Sequence, residues 1–125
     1  MKIFIVDDSK LDRKLLIRSL QKAGIKNEIL QATDGEAALD TLNAEYANIC
    51  LMFLDWQLPK IDGLEILKRI AQNPNTASLP IVMLTARESQ ESEDAARLLH
   101  PNLTAFVVKP LDTQRVIEVA LPHIK

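Results

Sequence analysis

"LMFLDWQLPKIDG", residues 51–63, decides the fold. Its first four residues, Leu51 to Leu54, are continuously apolar, and the run stops at a carboxylate, Asp55. Such a run fits a strand covered on both faces, as at the centre of a parallel sheet. A charge at its end is costly to bury unless it is paired, so Asp55 must have a partner or a task.

Working outward, short apolar runs alternate with helical patterns. The predicted strands are Lys2–Val6, Glu28–Gln31, Ile49–Leu54, Ile81–Leu84 and Thr104–Val108. Ser9-Lys10-Leu11-Asp12 has capping-box spacing. Behind it Leu11, Leu15, Leu16, Leu20 and Ala23 recur at helical intervals, and Gly24 supplies a stop. Thr33-Asp34-Gly35-Glu36 repeats the cap ahead of Ala37, Ala38 and Leu42. Asp62-Gly63-Leu64-Glu65 opens a third helix through Ile66, Leu67, Ile70 and Ala71. "NPNTASLP" is a turn-rich loop, and a fourth, more acidic helix follows "TARESQ" to about Leu99. A fifth spans Thr113–Leu121, meeting Pro122 soon before Lys125, which suggests that no output domain follows. Strands alternating with helices give an α/β fold with a parallel sheet, helices on both faces and one domain over residues 1–125.

Composition limits the partners. Seventeen acids against fifteen bases leave a formal charge of −2, and the bases form no dense cluster. Direct nucleic-acid or anionic-membrane binding is therefore not expected, because both rest on a positive patch. The apolar run Ile49–Leu54 is too short to cross a bilayer, and Lys2–Val6 reads as a strand rather than a signal peptide. The single cysteine, Cys50, cannot form an intrachain disulfide; it reads as a buried thiol in a reducing, cytoplasmic setting. His100 and His123 lack metal-ligand spacing and read as surface or helix-end residues.

In parallel α/β sheets, ligands bind beyond the carboxyl ends of the strands. Asp7 and Asp8 follow the first strand, Asp55 the third, Thr85 the fourth and Lys109 the fifth. Each alone has an ordinary reading as a cap, a turn or a solvated charge. Their coincidence at one rim has none. Three carboxylates a few ångströms apart repel by roughly 1–4 kcal/mol per pair, which a divalent cation removes. Hard oxygen donors suit Mg²⁺, which retains waters and leaves room for a phosphate oxygen. Lys109 and the Thr85 hydroxyl are then donors to the other phosphoryl oxygens, and Asp55 is the nucleophile.

At this point the sequence resembles the receiver domains of two-component response regulators. "VDDS", "LDWQLPKIDG", "MLTA" and "FVVKP" follow the family's order over essentially the whole chain. The resemblance implies strand order 2-1-3-4-5 in a flavodoxin-like receiver fold, one of the two common doubly wound arrangements. It implies that Asp55 accepts a phosphoryl group from a phosphohistidine on a sensor kinase or phosphotransfer protein. Asp8, Asp55 and the Trp56 backbone carbonyl would ligate Mg²⁺, for which Mn²⁺ can substitute, and Asp7 would act through water. Thr85 and Phe106 would form the switch, relaying phosphorylation to a fourth-helix, fifth-strand, fifth-helix surface that meets a downstream protein. Gln57 and Arg87 match positions that tune dephosphorylation. The Lys109-Pro110 peptide is expected to be cis. The kinase would be read on the exposed side of the first helix around Lys10, Arg13 and Lys14. Such a protein is a signalling phosphoacceptor that assists its own phosphorylation and dephosphorylation, not an enzyme acting on other substrates.

Other readings fit less well. A haloacid-dehalogenase-like phosphatase needs a second Asp where Gln57 stands, and a flavodoxin-like binder needs a phosphate-cradling first loop rather than Asp7-Asp8-Ser9-Lys10. A phosphate-independent pseudo-receiver, working as an interaction module, would lack one of the five residues. The same residues also suit an intermediate or phosphate sink in a relay.

Overall fold

The alternating pattern produces five strands and five α-helices in a computed structural model that describes residues 1–86, 89–101 and 103–125. They run β1 (Lys2–Val6), α1 (Lys10–Lys22), β2 (Ile29–Ala32), α2 (Gly35–Glu45), β3 (Ile49–Asp55), α3 (Gly63–Gln72), β4 (Ile81–Thr85), α4 (Gln90–Leu99), β5 (Ala105–Val108) and α5 (Thr113–Ala120). The sheet is parallel with order β2-β1-β3-β4-β5. All seven residues of β3 are buried: the apolar run Ile49–Leu54, as expected of a central strand, and Asp55 at its end.

Successive side chains on a strand point to opposite faces, so each strand feeds two cores. On one face Phe4, Val6, Met52, Leu54, Ile81 and Met83 pack with Ala38 and Leu42 of α2, Ile66, Leu67 and Ile70 of α3, and Ala96 of α4. On the other, Ile3, Ile5, Leu51, Phe53, Val82 and Leu84 pack with Leu16 and Leu20 of α1 and with Val116, Val119 and Ala120 of α5. Burying each such aliphatic or aromatic side chain contributes about 1.5–3 kcal/mol, so the sheet is clamped from both sides. Cys50 is among the buried residues.

Beyond shifts of one residue at strand ends, local details depart from the sequence reading in four places. Helix α2 is capped by Asp34, whose side chain accepts from the Ala37 amide, rather than by Thr33. Ser9 does cap α1, accepting from the Asp12 amide at 3.2 Å, but the box is not closed. The Ser9 amide instead donates to Asp7 Oδ1 at 2.9 Å. Helix α5 ends at Ala120, and residues 121–123 form a 3₁₀ turn at Pro122. His100 does close α4 as its C-cap, yet it is buried, not on the surface, and neither ring nitrogen has a hydrogen-bond partner among the described residues. The Gly24 stop is as expected, with φ +83 in the left-handed region.

At the end of the sheet opposite the strands' carboxyl termini, the Asn27 amide nitrogen donates to the carbonyls of Met1 and Lys125, at 2.8 and 3.1 Å. The Met1 ammonium also donates to the Lys125 carbonyl at 3.2 Å. Among the described residues, no helix is long and apolar enough to cross a membrane.

Candidate phosphoacceptor and metal site

Register builds the site. Val6 lies opposite Leu54, so the residues that follow, Asp7 and Asp55, emerge side by side. Asp55 pairs with Leu84, and Thr85 pairs with Val108, which brings Lys109 to the rim next to Thr85. Two main-chain bonds fix these exits: Trp56 N–H to the Leu84 carbonyl (2.9 Å) and Lys109 N–H to the Thr85 carbonyl (2.7 Å). Arg13 braces the end of β1, donating to the Asp7 carbonyl at 2.8 Å and to Gln31 Oε1 at 2.9 Å. The Lys109-Pro110 peptide is cis, as the resemblance implies.

Carboxylate oxygens of Asp7, Asp8 and Asp55 lie within 4.8 Å of one another. Asp7 and Asp55 are buried and Asp8 is exposed. Lys109 Nζ sits among the acids, 2.8 Å from Asp7 Oδ2, 2.9 Å from Asp12 Oδ2 and 3.2 Å from Asp55 Oδ2. Together with Ser9, Gln57, Thr85, Ala86, Ser89 and Ser92, residues of this cluster line a cleft of about 780 Å³. Besides the Lys109 contact, Asp55 Oδ1 accepts a 3.4 Å bond from the Gln57 amide.

Charge follows from that packing. Burial, then the neighbouring charge of Asp7, pushes Asp55 up to about 6, against the opposing pull of Lys109. Burial alone would lower the Lys109 ammonium, but hydrogen bonds to Asp7 and Asp12 and the charges of Asp7 and Asp55 hold it above its usual range. Among the described residues, Lys109 is thus shared by Asp7, Asp12 and Asp55, with Asp8 beside them. A divalent cation fits what remains: clustered hard oxygen donors, one of them exposed, with negative charge in excess.

The five residues expected at the rim are brought together. The Trp56 carbonyl, expected to join them, accepts the Gly63 amide at 2.8 Å with one of its two lone pairs. That bond ties the loop after Asp55 to the start of α3. The Gln57 carbonyl accepts no hydrogen bond among the described residues. Phe106 is half-buried, with its ring centroid 6.1 Å from that of Trp56, and it shares with Thr85 a 230 Å³ cavity between α4 and β5. Arg87 lies outside the described residues.

Two functional features escaped the sequence reading. Asp12 was legible only as a capping residue, although its place in the first turn after the Asp7-Asp8 pair puts it over the strand end. Gly63 was legible as part of a cap. Its lack of a side chain matters more: a Cβ there would collide with the Asp55 carbonyl and lie 2.8 Å from the Trp56 oxygen.

Comparisons with known proteins agree with this fold. The response regulator Rcp1 of Synechocystis sp. is 38% identical over 105 residues, covering 80% of this chain and 71% of that protein. Its Mn²⁺-bound crystal structure superposes with a TM-score of 0.84 at 31% identity, covering 99% of this chain and 94% of that one. A response regulator structure from Chloroflexus aurantiacus gives a TM-score of 0.86 at 29% identity, over 98% and 96% of the two chains. The sequence profile of the response regulator receiver domain matches residues 3–121, and the chain belongs to that family of two-component signalling domains.

Proposed function

We propose that this receiver accepts a phosphoryl group on Asp55 from a phosphohistidine of a sensor kinase or phosphotransfer protein, in the cytoplasm. The observation that carries the reading is the convergence of Asp7, Asp8 and Asp55 around Lys109 at the mouth of one cleft. In the transfer, the N–P bond of the donor breaks and a bond forms between phosphorus and an Asp55 oxygen, giving an acyl phosphate. Asp55 is suited to this because it stands at a strand end facing the cleft, is ionised at neutral pH and lies beside Lys109.

Asp8 and Asp55 would hold Mg²⁺, or Mn²⁺ in its place, with Asp7 close by. The Trp56 carbonyl would join them through its second lone pair, or the neighbouring Gln57 carbonyl, which accepts no hydrogen bond among the described residues. The cation supplies charge neutralisation for the carboxylates and for the phosphoryl oxygens in transfer. Lys109 donates to a phosphoryl oxygen and the Thr85 hydroxyl to another. Thr85 drawn toward the phosphoryl group and Phe106 repacking beside the α4–β5 cavity would carry the signal to α4, β5 and α5 and a downstream protein. Gln57, at the cleft wall, would affect the lifetime of the acyl phosphate, a role the resemblance also implies for Arg87.

Trp56, the only tryptophan, reports on the site. Its fluorescence is to be followed on adding Mg²⁺ and then beryllofluoride, in wild type and Asp55→Asn. A saturable change at each step, with the beryllofluoride step missing in the variant, is the expected result. A folded protein silent to both ligands would refute the reading in favour of a phosphate-independent interaction module.

A further inference from the structure

An ammonium group has three N–H donors. In Lys109 all three are taken, by Asp7, Asp12 and Asp55. The three acceptors are not equivalent. Asp7 and Asp55 belong to the group of carboxylates whose oxygens lie within 4.8 Å of one another, and Asp12 does not. A cation entering that group competes with Lys109 for Asp7 and Asp55 but leaves the Asp12 contact alone.

Asp12 is also oriented for this task. Its backbone amide is held by Ser9 Oγ, which fixes the first turn of α1. A first-turn acid serving only as a capping partner would turn back to the Ser9 amide. That amide is already donated to Asp7 Oδ1, and the Asp12 carboxylate reaches across to β5's exit instead. The pair is sheltered rather than free in water: the Lys109 side chain is 17% exposed and that of Asp12 33%.

We propose that Asp12 is a positioning residue that holds Lys109 when a divalent cation engages Asp7 and Asp55, and so sets how readily the site admits the cation. The inference rests on the metal-dependent reading given above and deepens it. Without Asp12, the ammonium has only Asp7 and Asp55 to bond, and the cation must displace it from both. With Asp12, Lys109 keeps one strong acceptor throughout and remains beside Asp55, where a phosphoryl oxygen would come to need it.

The test is Mn²⁺ binding, followed by Trp56 fluorescence and by the electron paramagnetic resonance of free Mn²⁺. It compares wild type, Asp12→Asn, Asp12→Glu, Lys109→Ala and the double variant Asp12→Asn/Lys109→Ala. Each variant's fold is verified by circular dichroism and thermal melting in EDTA. Asp12→Asn is expected to bind Mn²⁺ about fivefold more weakly, on the scale of a partly exposed ion pair, and Asp12→Glu to stay within about twofold of wild type. In the Lys109→Ala background the Asp12→Asn change is expected to have no effect, because the double-mutant cycle isolates what passes through the lysine.

Wild-type affinity in Asp12→Asn would overturn the proposal. So would an equal weakening with and without Lys109, which would make Asp12 merely one more negative charge near the cation. Either result leaves the metal-dependent reading standing. Failure of the wild type to bind Mn²⁺ overturns both.

Discussion

Replacing Asp55 with Asn in metal-free protein should make it more stable at neutral pH. The side chain is 9% exposed, and burial and the charge of Asp7 raise it from 3.8 to about 6. Between those values the folded chain binds more protons than the unfolded one, so stability falls as the pH rises through 6. Below 3.8 both states are protonated and the penalty vanishes. A rise from 3.8 to about 6 corresponds to about 3 kcal/mol at neutral pH, at 1.36 kcal/mol per decade. Asn matches Asp in shape and carries no charge, but Lys109 then loses an anionic acceptor and the cleft admits water. The net gain is therefore about 1–2 kcal/mol, or roughly 3–8 °C in Tm for a chain of this size. Urea denaturation in EDTA at pH 7.5 and 4.5 measures it. The gain should be full at pH 7.5 and reduced to below about 0.5 kcal/mol at pH 4.5, where wild-type Asp55 is largely neutral. No gain at pH 7.5, or an equal gain at both, would refute the reasoning.

Other perturbations have equally specific outcomes. Lys109→Ala leaves Asp7, Asp12 and Asp55 uncompensated and should cost about 2–3 kcal/mol in EDTA, somewhat below a fully buried pair. Mg²⁺ should stabilise that variant more than wild type, so an equal rise in Tm would count against competition between lysine and cation. Gly63→Ala drives a methyl group against the Asp55 and Trp56 carbonyls. It should cost about 1–3 kcal/mol in a urea melt and weaken the beryllofluoride response, and a variant as stable as wild type would contradict the close approach. His100, lowered by burial, resists protonation in the folded state. Its folded value lies below its unfolded one, so its neutral form supports stability above about pH 6.5, and that support is lost as the pH falls. His100→Leu should flatten this part of the pH–stability curve, and an unchanged slope would show that His100 does not produce it.

What the sequence made legible was periodic or positional. The unbroken apolarity of Ile49–Leu54 announced a central strand, and the strand turned out to be buried throughout. Acids, hydroxyl and lysine at strand ends needed only the parallel-sheet rule to be gathered at one rim. The order of strands came from the family resemblance, since no local pattern encodes which edge a crossover chooses. Side-chain choice among competing acceptors was the least legible. Asp12 satisfies the same short pattern whether it turns to Ser9 or to Lys109, and the choice depends on a lysine 97 residues away. Trp56 and Gln57 present adjacent carbonyls, and their hydrogen bonding differs through the Gly63 amide, which the start of α3 places against Trp56. His100 belongs to the same class, because its burial is set by how α4 meets the sheet and not by its neighbours in sequence.

The clasp made by Asn27 on the carbonyls of Met1 and Lys125 has a further consequence. Residues 1 and 125 thus meet at the end of the sheet away from the acids. Joining residues 125 and 1 through a short linker and opening the chain in the loop between α3 and β4 would leave every strand with its present neighbours. What the site requires is the register of β1, β3, β4 and β5 and the first turn of α1. The order in which a ribosome delivers those pieces is a separate matter, and this fold leaves it open to rearrangement.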